Sequence, residues 1–138
     1  MDNPNKEIIK EIAQHLECGF DCYFNSTTNE VVPIPNIGQI DYEEEFRESF
    51  EAELKRVTSA PNNFIKIEVP ESYESYKIME RFVEQLPHTP FRQDLENILQ
   101  RKAPFRNFKF AIDNSEYRQE WFAFKQLQFE QIVQDQLE

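Results

Sequence analysis

The stretch Phe20 to Ile34, FDCYFNSTTNEVVPI, decides the fold class of this chain. Phe20, Cys22 and Phe24 alternate with polar or smaller groups. Ser26-Thr27-Thr28-Asn29 supplies turn-forming residues, and the β-branched run Val31-Val32-Pro33-Ile34 follows. Alternation on either side of a polar turn predicts a β-hairpin. Pro33 has no N–H to offer a ladder, so the second strand is expected at a sheet edge.

Working outward, the hairpin is flanked by helical patterns. Upstream, Ile8, Ile9, Ile12, Ala13 and Leu16 recur at helical spacing, and Gly19 stands where a left-handed cap would close that helix. Downstream, Tyr42, Phe46, Phe50, Leu54 and Val57 line one face of a helix expected over Asp41 to Val57. Glu43, Glu44, Glu45, Glu48, Glu51 and Glu53 cover the rest of it.

Phe64-Ile65-Lys66-Ile67-Glu68-Val69 alternates as a third strand that stops at Pro70. Tyr73, Tyr76, Met79, Phe82, Val83 and Leu86 mark the next helix, with Ser72 as its expected N-cap. Thr89-Pro90 reads as a cap followed by proline at the first helical position, with Phe91, Leu95, Ile98 and Leu99 inward. Pro104 opens a short helix carrying Phe105, Phe108 and Ile112. Asp113-Asn114-Ser115 ends it, and a last helix runs from about Glu116 towards the C-terminus. The expected architecture is α+β, a small antiparallel sheet of about three strands packed with five or six helices, in a single domain over residues 1–138.

Composition narrows the functional classes. Fifteen Lys and Arg against 26 Asp and Glu give a net charge of −11, which opposes large-scale wrapping of nucleic acid. The start MDNPNKEII has neither a basic segment nor an apolar one, and no run is long and apolar enough to span a bilayer. A cytoplasmic location with no membrane partner is therefore expected. Cys18 and Cys22 are the only cysteines and read as two reduced thiols.

Catalytic patterns are sparse. Carboxylates from Glu43 to Glu53 have the spacing a di-metal or acid–base site uses, but no Glu-x-x-His accompanies them, and a solvated helix face is the simpler reading. His15 and His88 complete no ligand set, and the cysteines and histidines form no zinc pattern. No nucleophile motif is present, and Gly19 and Gly38 alone make no phosphate loop. No cofactor is expected.

Two features remain. Between Arg101 and Lys125 the chain gathers Phe105, Phe108, Phe110, Phe122, Phe124 and its single tryptophan, Trp121. Arg101, Lys102, Arg106 and Lys109 place four positive charges in nine residues with no acid among them, leaving −15 for the remainder of the chain. Arginine beside aromatic rings suits a phosphate or a stacked base. The same residues also suit a structural role, the rings in a core and the cations at a helix end or paired with the acidic helix. On the last helix, Tyr117, Trp121, Phe124 and Ile132 share one face and Phe122, Phe129 and Val133 a second. Such a helix is either wedged between two elements of its own domain or carries a homodimer or partner surface.

Ala103-Pro104-Phe105-Arg106-Asn107-Phe108-Lys109, followed by Trp121-Phe122-Ala123-Phe124, resembles the Phe-Arg-x-Phe-Lys and Trp-aromatic-x-Phe signatures of the bacterial uncharacterised protein family 0158. Val69-Pro70 with Tyr76, Met79 and Phe82 is similar to that family's proline and following helix. Thr28-Asn29-Glu30-Val31 is similar to its hairpin turn, with Asn29 in place of glycine, a substitution a left-handed position tolerates. The resemblance implies a small soluble bacterial protein with no assigned activity and no catalytic residues to carry over. The expected function is that of a non-enzymatic cytoplasmic interaction or regulatory protein. A weak RNA or single-stranded DNA binder acting through residues 101–109 is the alternative.

Overall fold

The hairpin is present and organises a three-stranded sheet. It is seen in a computed structural model that describes residues 6–35 and 50–137. Strand β1 (Phe20–Asn25) pairs antiparallel with β2 (Glu30–Pro35), from Phe20 opposite Pro35 to Asn25 opposite Glu30. The turn is held by its own side chains. Asn25 Oδ1 accepts from the amides of Thr27 and Thr28 at 2.9 and 3.2 Å, and Thr28 Oγ1 accepts from Glu30 N at 3.3 Å. Asn29 takes φ 62°, the left-handed position expected of it. Strand β3 (Ile65–Ile67) pairs on the other side of β1, so the order is β2-β1-β3 and the proline-bearing strand lies at the edge.

β3 is shorter than the alternation predicts, because side chains replace the ladder beyond Ile67. Glu68 N donates to Gln136 Oε1 at 3.0 Å, Gln136 Nε2 donates back to Glu68 O at 3.3 Å, and Val69 N donates to Asp21 Oδ1 at 2.8 Å. A side-chain amide has the donor and acceptor of a peptide group and can stand in for one.

The described residues group into two compact units, the first comprising those up to Val69 with those from Phe129 onward, the second Pro70–Gln128. In the first unit helices cover both faces of the sheet. Opposed residues of an antiparallel pair share a face. One face carries Cys22, Phe24 and Ile67, each at most 1% exposed, and Cys22 Sγ lies 4.0 Å from Ile12 O of helix α1 (Lys6–Glu17). Ile9, Ile12, Ala13 and Leu16 are the buried positions of α1, and Gly19 follows it at φ 88°. The other face packs Val32 and Ile34 with Val57, supported by Tyr23, Leu54 and Phe64.

Val57 and Leu54 belong to helix α2 (Glu51–Ser59), fastened to the hairpin by Arg56 Nη2 to Glu30 Oε1 at 2.6 Å. The helix expected from Asp41 thus has its second half here. Its first half, with Tyr42, Phe46 and the acidic run to Glu48, lies outside the described residues.

The second unit is helical. It contains α3 (Ser72–Glu84), α4 (Pro90–Leu99), α5 (Pro104–Asp113) and the start of α6 (Arg118–Leu137). Six helices and a three-stranded antiparallel sheet among the described residues make the fold α+β, as the sequence predicts. The cap at Thr89 is formed, its hydroxyl accepting from Arg92 N at 3.3 Å with Pro90 in the first helical position. The cap expected at Ser72 is not. Glu71 occupies the cap position in an extended conformation without a side-chain bond, and Ser72 is already helical.

Trp121 is the aromatic centre of this unit. It stands edge-on to Phe108 at 5.0 Å and to Phe82 at 5.3 Å, and Phe124 lies 5.5 Å from Phe82. Tyr76 ties α3 to the end of α4 by donating to Leu99 O at 2.6 Å.

Candidate functional site

The turn that leads into α5 is tightly defined. Arg101 N donates to Ile98 O at 3.2 Å, Asn107 N to Ala103 O at 3.1 Å and Asn107 Nδ2 to Lys102 O at 3.1 Å. Ala103 sits at φ 54°, ψ 52°, a left-handed conformation that costs a residue with a Cβ about 1 kcal/mol. Pro104 then starts the helix with its φ already set. Arg101 and Lys102 therefore project from a fixed corner rather than from a loose tail.

On α5 the aromatic residues divide. Phe108 and Ile112 are buried, at 1% and 0% exposure, and Phe108 meets Trp121. Phe105 is 43% exposed and Phe110 is 72% exposed, so these two rings are not part of the core. Two apolar residues four apart already anchor a ten-residue helix. Phe110 falls on its far side, where no further ring can be buried, while Phe105 shares the side of Phe108 and Ile112 and stays exposed in the first turn of the helix.

At 100° per residue, Phe105, Lys109, Arg106 and Phe110 follow one another in that order across an arc of about 140°. Both cations are exposed, as are Arg101 and Lys102. Among the described residues none of the four forms an ion pair, whereas Arg92 of the same unit pairs with Glu96 and Arg118 with Asp113. The first turn of α5 contains no acid, so Arg106 lies at the positive end of its helix dipole. The four cations are exposed within nine residues around the start of α5, and on the helix Arg106 and Lys109 lie in azimuth between the exposed rings Phe105 and Phe110. Phe110 as a surface residue is the member that sequence reasoning did not single out.

The stripe of Phe122, Phe129 and Val133 on α6 is corrected. Phe122 is 39% exposed, but Phe129 is 5% exposed and Val133 is fully buried. The three do share an azimuth to within about 40°. The covered side of the helix nevertheless changes along its 20 residues, so a common azimuth is not a common environment. Phe122 alone reaches solvent, beneath the guanidinium of Arg118 at 4.8 Å from its ring centre.

A concavity of about 340 Å³ is lined by His88, Thr89, Pro90, Arg92, Gln93 and Glu96. Its arginine faces inward. Arg92 Nη1 donates to Leu86 O at 2.9 Å and lies 3.4 Å from His88 Nε2, and Nε sits 3.6 Å from Glu96 Oε2, shielded from solvent and without a hydrogen-bond partner. That arrangement clamps the α3–α4 turn and leaves little of the guanidinium for a ligand.

Cys18 is an exposed free thiol and Cys22 a buried one, the latter pushed up to about 12 by burial and then by the charges of Asp21 and Glu11. Such a thiol is no nucleophile at neutral pH. Among the described residues no three His, Cys, Asp or Glu side chains cluster as a metal site, and no helix is long and apolar enough to cross a membrane.

No curated protein and no solved structure matches the chain. One family model does, over residues 5–138, a span that contains the hairpin, the α5 corner and Trp121. The protein belongs to the uncharacterised protein family UPF0158.

Proposed function

We propose that this protein acts by contact, as a cytoplasmic interaction or regulatory protein that holds an anionic partner against the exposed face of α5. The observation that carries this reading is the set of four exposed cations, unpaired among the described residues, around Phe105 and Phe110. A phenylalanine left in water forgoes about 1.5–3 kcal/mol of burial, and grouped cations repel one another. The face is therefore an expense to the isolated fold that a partner of opposite charge removes. Phe122 is the one residue of the α6 stripe still available to a protein partner.

The test is binding of the whole chain, at low salt, to a panel of polyanions of different backbone: heparin, polyglutamate and a labelled oligonucleotide. The wild type is expected to bind at least one of them, and Arg106→Glu with Lys109→Glu to lose at least about tenfold in affinity. A wild-type protein that binds none of them refutes the reading.

A further inference from the structure

Resting on that reading, we infer that the occupant of the α5 face is a single-stranded nucleic acid, with its phosphates on Arg101, Lys102, Arg106 and Lys109 and bases stacked on Phe105 and Phe110. Every nucleotide brings both groups this face asks for, an anion and a planar ring. An acidic peptide satisfies the cations but leaves exposed rings unanswered unless it also carries an apolar pocket. Cations tracking the backbone beside aromatic platforms are the general chemistry of single-strand binding.

Duplex is disfavoured on charge and shape. A rigid rod bearing one charge per about 1.7 Å must run on past a corner of +4 into a surface whose remaining charge is −15, whereas a flexible strand bends away. Sequence reading is weak for a structural reason. Asn107 is the only side-chain amide in the block, and its Nδ2 is engaged by Lys102 O. Binding is therefore expected to tolerate sequence and to use a short site. Four phosphate contacts at most set a log–log salt slope no steeper than about −2.8.

The experiment is anisotropy titration of the full chain with labelled oligouridylate and oligodeoxythymidylate of about 12 nucleotides. A duplex of equal length, heparin and polyglutamate serve as competitors, and salt is varied. Single strands of either sugar are expected to bind more tightly than duplex or polyglutamate. Phe110→Ala should weaken binding about tenfold without changing the salt slope, since it removes a stack and no charge. Arg106→Glu with Lys109→Glu should flatten the slope by about half. At 72% exposure Phe110 can be replaced without unfolding the helix. Equal or tighter binding of duplex, heparin or polyglutamate, or an unchanged affinity in Phe110→Ala, overturns the nucleic-acid assignment and leaves the anionic contact standing. Silence from every probe overturns both.

Discussion

Replacing Phe108 and Phe110 separately by alanine tests the orientation of α5, on which the site depends. The two residues stand two positions apart on one helix, at 1% and 72% exposure. Phe108→Ala removes a ring enclosed on all sides and its edge-on contact with Trp121 at 5.0 Å. Lost burial and the cavity left behind together cost about 3–5 kcal/mol, and the aromatic pair accounts for roughly 0.5–1.5 of that. Phe110→Ala removes a ring already in water and installs a better helix former, so its effect lies within about 0.5 kcal/mol of zero. With a urea dependence of about 2 kcal/mol per molar for a chain of this size, the midpoint of Phe108→Ala should fall by about 1.5–2.5 M and that of Phe110→Ala by almost nothing. Trp121 fluorescence reports the transition from beside the substituted ring. Equal shifts, or a larger one for Phe110→Ala, would show that α5 presents its other face to solvent, and the contact surface would go with it.

Other substitutions probe the frame. Gln136→Ala removes both bonds to the Glu68 peptide group and should cost about 1 kcal/mol, with faster amide exchange at Glu68; an unchanged exchange rate would show that the side chain does not hold the strand end. Thr89→Ala deletes a formed cap and should cost about 1 kcal/mol, whereas Ser72→Ala deletes none and should be nearly neutral, a contrast that thermal melts resolve. Cys18 should react with a thiol reagent in the native state, and Cys22 only on unfolding. Because the Cys22 thiol is raised in the fold from 9.0 to about 12, the unfolded chain ionises first. Its contribution to stability is complete below pH 9.0 and declines as pH rises towards 12. Cys22→Ala should therefore show a shallower alkaline decline than wild type.

Elements whose pattern and chemistry agree were legible from the sequence. The hairpin, the edge position of β2, the left-handed Gly19 and the Thr89-Pro90 start follow from alternation, proline and turn residues, the left-handed Asn29 from the family resemblance, and all are present. The length of β3 was not legible. Its end is set by Gln136, 68 residues away in sequence, and periodicity does not register a side chain standing in for a strand. The sequence also located the cationic corner but not the exposure of its rings. Spacing reports which residues share a side of a helix, and only the neighbours decide which side is covered. Phe105 shares a side with buried Phe108 and Ile112 yet is exposed, and Phe129 shares a side with exposed Phe122 yet is buried.

The same distinction separates a structural Arg106 from one that serves a partner, through the sign of a stability change. Arg106 is the third residue of α5, where backbone amides are unpaired and the dipole is positive, so a cation there is misplaced as far as folding is concerned. Glutamate suits that position and also relieves repulsion from Arg101, Lys102 and Lys109. If Arg106 has no task inside the fold, Arg106→Glu should raise stability by about 0.5–1 kcal/mol while lowering affinity for the anionic probe. Chemical denaturation and anisotropy on one preparation measure both. A fall in stability would mean that Arg106 has a partner within the chain, and the contact reading would lose its central cation. A rise in stability coupled to a loss of binding is the signature of a residue kept at the expense of the fold.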